Sequence, residues 1–384
     1  MKNSSLSYLL IFLLFFSSCK KSDAQDSSKD PKKHAQPSLA VFPDGSIYDI
    51  GAPLNGSLKD SLDQTVRRLF AITVMPGLTA AILVPGKGLW QTDTGYLSKP
   101  GLKKADAGSV FYWASVCKLL TATVIEQLIN EQKLQHDSKL SVWFPKLHDA
   151  GKITIDELLE HTSGIYSFNN DPTIFDIDRY YSPDELIGLS QGQKNLFPPG
   201  KTWSYSNTNY LLLALIAENI EGKSFDEIIQ QRIALPLHLT SLHALKPHEQ
   251  PDNLALAHEN GAIVKEDYSV PLGAGNVVSN ARDMVVLLYS LMTGKLGPVL
   301  LVHDRLKDLY AMPDAGTWYG SGMMLTDFNE ITHTDDLWIG HSGGTQTYRA
   351  LLVYDTATKT FIALAINQHV SVEAVARKLL SVVH

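Results

Sequence analysis

The sequence predicts an α/β (α+β) fold, with one antiparallel sheet built from both chain ends, flanked by helices, and a mostly helical part inserted between those ends. Three observations predict it. Two β-prone runs, 78–84 and 88–96, stand near the front on either side of Pro85-Gly86-Lys87, the composition of a hairpin. Two more, 348–354 and 360–367, stand near the end, joined by Asp355-Thr356-Ala357-Thr358-Lys359. Between these pairs the apolar residues recur with helical spacing.

Taken in order, the first long helix is expected from Ser115 to about Leu134. Leu119, Leu120, Val124, Ile125, Leu128 and Ile129 cover nearly every side of it, the mark of a buried helix. Thr154 followed by Glu157 has the spacing of a capping box and opens a helix through Glu160. Further helices are expected over 183–189, 210–220, 224–233 and 281–292, and an amphipathic helix over 371–383 closes the chain. No internal repeat occurs. A single domain is expected over 41–384, its sheet part about 45–114 and 320–384 and its helical part about 119–270.

The chain has 384 residues, 44% of them hydrophobic and 19% charged, enough to bury a large core. Its formal net charge of −7 offers no basic face for a nucleic acid, so no such partner is expected. The first residues do not belong to the fold. Lys2 precedes an apolar run over 8–16, too short for a bilayer span of about 20 residues. With Ser17, Ser18 and Cys19 behind it, this run suits an export signal. The segment 1–19 resembles a bacterial lipoprotein signal, which implies that Cys19 is lipidated and holds the protein to the cell envelope. A plain secretory signal cut elsewhere is the competing reading. Residues 20–40 are polar, charged and broken by Pro31 and Pro37, as expected of a flexible tether. Cys117 is then the one cysteine left, so no internal disulfide can form.

Three short motifs carry chemistry. In Ser115-Val116-Cys117-Lys118 the serine and lysine lie three apart, on one helix face. A serine hydroxyl needs a base beside it, and a lysine serves once burial lowers its pKa. Ser17-Lys20 and Ser18-Lys21 repeat the spacing, but only Ser115 follows an aromatic run, Phe111-Tyr112-Trp113, and opens a buried helix. A Lys118 that reaches out to solvent from the helix start is the bland alternative. Tyr205-Ser206-Asn207 follows the rigid turn Pro198-Pro199-Gly200. There Tyr205 is placed to pass a proton between Ser115 and a leaving group if nearby cations lower its pKa. Asn207 is placed to orient Lys118 or hold a substrate amide. A core tyrosine and a helix-capping asparagine would explain the same residues. In Gly340-His341-Ser342-Gly343-Gly344 the glycines let a substrate approach the backbone. The N–H of Gly344 is expected to pair with that of Ser115 as an oxyanion hole, with His341 lining the opposite wall.

In this order, Ser-x-x-Lys, Tyr-x-Asn and His-x-Gly resemble the serine β-lactamase and penicillin-binding superfamily. The branch most similar holds class C β-lactamases, D-alanyl-D-alanine carboxypeptidases and related esterases. The likeness runs from about Met75 to the C-terminus. It takes in His161-Thr162-Ser163-Gly164, the stretch 197–210, and Gly273-Ala274-Gly275-Asn276-Val277-Val278-Ser279 before Ala281-Arg282-Asp283. It implies a β-lactamase/transpeptidase-like fold with the active site between sheet and helical part. It further implies an acyl-enzyme on Ser115 that water resolves, a peptide, ester or β-lactam substrate, and no cofactor. Tyr205 at the second motif, where class A enzymes carry Ser-Asp-Asn, favours the tyrosine-based branch. Three departures bear on substrate. His341 stands where typical class C β-lactamases have lysine. Gly322-Met323-Met324-Leu325 stands where carboxypeptidases of this type carry an arginine, which puts a terminal-carboxylate clamp in doubt unless Arg349 supplies it. Cys117 stands where the family usually has Thr or Ser; two residues from Ser115 it faces away, as a packing residue.

Other readings compete. Gly340-x-Ser342-x-Gly344 with Asp355 and His369 matches a nucleophile elbow, but that motif needs strand, turn and helix, and the residues after it read as two strands and one helix. His333, Asp335, Asp336 and His341 cluster without metal-ligand spacing, so no metal is expected. A slowly acylating sensor would keep the same three motifs and stop after one burst.

Overall fold

The computed structural model describes residues 31–43, 50–174 and 177–383. The lipoprotein reading of 1–19, with Cys19, lies outside the described residues. The strands are β1 (Lys33–His34), β2 (Gly77–Val84), β3 (Gly88–Ser98), β4 (Lys103–Lys104), β5 (Phe111–Tyr112), β6 (His243–Ala244), β7 (His258–Glu259) and β8 (Ala262–Ile263). They continue with β9 (Val277–Ser279), β10 (Leu309–Ala311), β11 (Thr317–Tyr319), β12 (Met324–Asp327), β13 (Leu337–Gly344), β14 (Arg349–Asp355) and β15 (Thr360–Ile366). Ten of them form one sheet in the order β1-β10-β11-β12-β13-β14-β15-β2-β3-β4. The pairing of β15 with β2, Ile362 opposite Ile82 and Leu364 opposite Ala80, joins the two chain ends. Both expected hairpins are present.

The central strands are buried on both faces, and their side chains alternate between two cores. Leu78, Ala80, Ile82 and Val84 share one core with Ile362, Leu364 and Ile366. On that side lie the helices α1 (Gly56–Ile72) and, at the chain end, Val372–Leu380, which contributes Val375, Ala376 and Leu379. Ala81, Leu83, Phe361 and Ala363 point the other way, into the larger core. That core holds α2 (Cys117–Asn130), the capped helix α3 (Ile155–Leu159), α4 (Pro183–Gln191) at its edge, α5 (Asn207–Glu221), α6 (Phe225–Ile229) and α7 (Ala281–Met292). The Thr154–Glu157 capping box forms as read, Thr154 N–H donating to Glu157 Oε2 at 2.8 Å and Glu157 N–H to Thr154 Oγ1 at 3.2 Å.

Four expectations are corrected. The first helix is shorter, because Ala114–Val116 is a 3-10 turn and α2 ends at Asn130, after which Gln132 takes φ 60°. The helix expected from 210 begins at Asn207. Sheet strands return at Leu309, before the expected boundary at 320. The tether expected over 20–40 is, from residue 31, part of the fold: β1 pairs with β10, and Lys33 Nζ lies 2.7 Å from Asp308 Oδ1. An edge strand offers unpaired backbone to whatever segment reaches it, whatever that segment's composition.

Candidate active site

Ser115 sits at the middle of the 3-10 turn that leads into α2. Ala114 before it takes φ 45°, a left-handed conformation that is costly for a residue with a Cβ. The turn leaves Ser115 partly accessible, whereas its neighbours Trp113, Ala114, Val116 and Cys117 are buried. Lys118, one turn on, is fully buried, and its Nζ lies 3.1 Å from Ser115 Oγ. The same nitrogen donates to the Ala274 carbonyl at 2.7 Å. Burial, with no carboxylate partner among the described residues, disfavours the charged amine and pushes it down to about 7. Near neutral pH much of Lys118 is therefore a free amine with a lone pair beside the Ser115 hydroxyl.

Tyr205 closes the other side. Its phenol interacts with the Ser115 hydroxyl closely enough to temper its pKa, and Lys118 Nζ lies 5.0 Å from its ring centroid. The expected lowering of its pKa by neighbouring cations does not occur. Burial is the largest cause and pushes the phenol up, so Tyr205 keeps its proton at neutral pH. The physical reason is that loss of water disfavours the phenolate by more than the Ser115 interaction offsets. His161 holds the ring, with centroids 4.3 Å apart. Its Nδ1 accepts from Ser206 N–H at 3.2 Å and Asn209 Nδ2 at 3.3 Å, which fixes a neutral tautomer. Desolvation first, then the Lys118 charge, holds that imidazole well below its usual range.

The third motif lies on β13, next to the 3-10 turn. A Cβ on Gly343 would come within 2.4 Å of Trp113 O and 3.0 Å of Ser115 N, so only glycine permits this approach. Gly344 is exposed at the end of the strand, opposite Arg349. His341 does not line the open wall as expected. It is fully buried, and burial pushes it down to about 3. Its Nδ1–H donates to Ser342 O at 2.5 Å, and Nε2 lies 3.3 Å from the Tyr319 hydroxyl. Asn207 does not orient Lys118 either. Its Nδ2 donates to Asn169 Oδ1 at 2.9 Å, and the Ala274 carbonyl holds the amine instead.

Ala274 O and Tyr319 are the contributions that reading the motifs missed. Ala274 was visible only as part of a family-like stretch, and a backbone carbonyl has no side-chain signature. Tyr319, on a three-residue strand, gives no local signal at all. Cys117 is buried and faces away, its Sγ 3.8 Å from Asn276 Oδ1, and desolvation raises its thiol to about 12. Ser342 lies within β13 and is followed by a hairpin to β14, so it has no strand–turn–helix elbow. Asp355, the acid of that reading, accepts from Trp338 Nε1 at 2.9 Å.

An antiparallel sheet flanked by helices, with a serine–lysine pair entering the buried helix, defines the β-lactamase-fold hydrolases. This chain belongs to the Beta-lactamase family, whose model matches residues 62–383. The putative penicillin-binding protein PbpX of Bacillus subtilis is 27% identical over 260 residues, which cover 66% of this chain and 63% of that protein. Penicillin-binding protein 4 of Amycolatopsis lactamdurans is 29% identical over 192 residues, 48% of this chain and 49% of the relative. The match thus spans from just under half to just under two thirds of the length of these relatives. Among solved structures, the D-amino acid amidase of Ochrobactrum anthropi SV3 superposes with a TM-score of 0.74 at 23% identity, covering 86% of this chain and 98% of that one. At that identity the likeness establishes the fold alone.

Proposed function

We propose that this protein is a serine hydrolase that opens amide or ester carbonyls through a covalent acyl-enzyme on Ser115. The observation that carries the reading is a fully buried Lys118 amine, held near neutrality, 3.1 Å from Ser115 Oγ. Lys118 takes the Ser115 proton as Oγ attacks. The carbonyl oxygen gathers charge between the N–H groups of Ser115 and Gly344, where each donor contributes about 10²–10³ in rate. Tyr205, still protonated, passes its proton to the leaving group as the bond to the carbonyl carbon breaks, and the proton that Lys118 took from Ser115 returns to the Tyr205 oxygen. Water then attacks the ester by the reverse route.

Substrates are peptide-like amides, esters or β-lactams. A neutral His341 supplies no positive charge for a substrate carboxylate, and β12 carries Met324 beside Ser342 rather than an arginine, Ser342 Oγ lying 3.5 Å from Met324 Sδ. These features weigh against a D-alanyl-D-alanine carboxypeptidase and toward amides or esters without a terminal carboxylate. Rates on a D-Ala-D-Ala peptide, a short nitrophenyl ester and a chromogenic cephalosporin rank the three classes. Ser115→Ala is expected to abolish labelling by a fluorophosphonate while the fold survives, and full labelling of that variant would end the assignment. Steady turnover, rather than one stoichiometric burst, separates an enzyme from a sensor. Lipid anchoring through Cys19 in a bacterial cell envelope completes the proposal. Among the described residues no helix is long and apolar enough to cross a membrane. Loss of membrane fractionation in Cys19→Ser is the expected result.

A further inference from the structure

A pocket of about 360 Å³, within the range of small-molecule sites, opens along the far half of α2. Glu126, which lines it, stands about 16 Å along the helix from Ser115 at 1.5 Å per residue, so the proposed chemistry does not use this space. Thr123 and Gln127 of α2 line it too, with Arg305, which follows α8 (Val299–Asp304). Leu291, Leu296, Leu301 and Val302 supply an apolar wall. Arg305 and Glu126 are its most enclosed charged groups, 3% and 6% exposed.

The two arginines of this pocket differ in their partners. Arg232 is spanned by the carboxylates of Glu131 and Glu221 at 2.7 to 3.2 Å. Arg305 has no such clamp. Its Nη2 donates to Thr123 Oγ1 at 3.1 Å, Nη1 reaches Leu119 O only at 3.5 Å, and Nε has no partner among the described residues. A guanidinium carries five N–H donors, so most of them stay open. Glu126 accepts no hydrogen bond among the described residues. It and Arg305 feel each other's charge without forming an ion pair, and desolvation outweighs that attraction in both. Enclosed charges held apart in this way are costly, and a group that bridges them recovers hydrogen bonds on both sides. One cation already balances one anion, which favours a neutral head over an ion. A primary carboxamide has that chemistry: an acceptor oxygen, two N–H donors and no charge.

We propose that this pocket binds small molecules that join a primary carboxamide to an apolar tail. The carbonyl oxygen accepts from the open N–H groups of Arg305, the amide N–H donates to Glu126, and the tail lies on Leu291, Leu296, Leu301 and Val302. This site is separate from Ser115 and does not rest on the acyl-enzyme reading.

The test is calorimetric titration of the full chain carrying Ser115→Ala, in which turnover cannot consume the ligand. Hexanamide is expected to bind with a Kd of about 1 mM or tighter. Hexanoate and hexylamine each carry a charge and lack half of the head, and N,N-dimethylhexanamide lacks the donors. All three are expected to bind about 10-fold or more weakly, the effect of leaving one enclosed partner unpaired. Glu126→Leu, and Leu301→Trp, which fills the pocket, should each abolish the hexanamide heat, with thermal unfolding giving the folded fraction. Should neither variant fold, the order of the four ligands on the parent chain decides. No saturable heat with hexanamide up to about 10 mM, roughly ten times the expected Kd, overturns the inference. So does equal or tighter binding of any of the other three, or binding that survives in either folded variant.

Discussion

Replacing Lys118 by methionine is expected to make the protein more stable and catalytically silent. In the unfolded chain the amine has its ordinary value of 10.5, and in the fold it falls to about 7. At about 1.36 kcal/mol per tenfold change in proton affinity, the folded state loses about 5 kcal/mol at or below pH 7. Between pH 7 and 10.5 the unfolded chain binds more protons than the folded one, so wild-type stability rises with pH across that window. Methionine has a similar length and no charge to desolvate. It leaves the Ala274 carbonyl without its 2.7 Å donor, at a cost of about 1–3 kcal/mol. The variant should therefore exceed wild type by about 2–4 kcal/mol at pH 7 and fall below it near pH 10.5. Urea midpoints measured in parallel from pH 6 to 10 give the difference, in which other titrating groups cancel. A gap between the two proteins that does not shrink as pH rises would refute the argument that Lys118 is a desolvated amine.

The same amine sets the pH dependence of acylation: the labelling rate of Ser115 should climb tenfold per pH unit below about 7 and then level off. His341, held at about 3, adds no step between pH 5 and 9, and a flat profile down to pH 5 would exclude Lys118 as the base. Tyr205→Phe removes one hydroxyl from a ring held by His161 and should slow acylation about 10²–10⁴-fold without moving thermal unfolding. Gly343→Ala drives a methyl group to within 2.4 Å of Trp113 O. It should cost about 1–3 kcal/mol of stability, read in denaturation, and lose most labelling of Ser115 as the turn is pushed off the strand.

The site divides by how far along the chain its causes lie. Ser115 and Lys118 were legible because three residues of helix bring their side chains to one face, a local geometry that survives any packing. The strands at both ends were legible because their apolar runs have sheet lengths and turn residues between them. The capping box at Thr154 and Glu157 is likewise closed within four residues. Asn207 and His341 were recognised as motif members, yet their partners, Asn169 and Tyr319, come from segments far away in sequence.

What the sequence by itself determined is the order of elements, the pairing of a serine with a lysine one turn on, and the turn compositions that carry Tyr205 and Gly343. Only the tertiary structure decided the protonation of those groups. Lys118 is an amine near neutrality and Tyr205 a phenol because distant segments exclude water from both, and desolvation energy is a property of the surrounding volume rather than of neighbours along the chain. The same holds for residues 31–40, which read as tether by composition and became part of the fold because the open edge of β10 accepted Lys33 and His34.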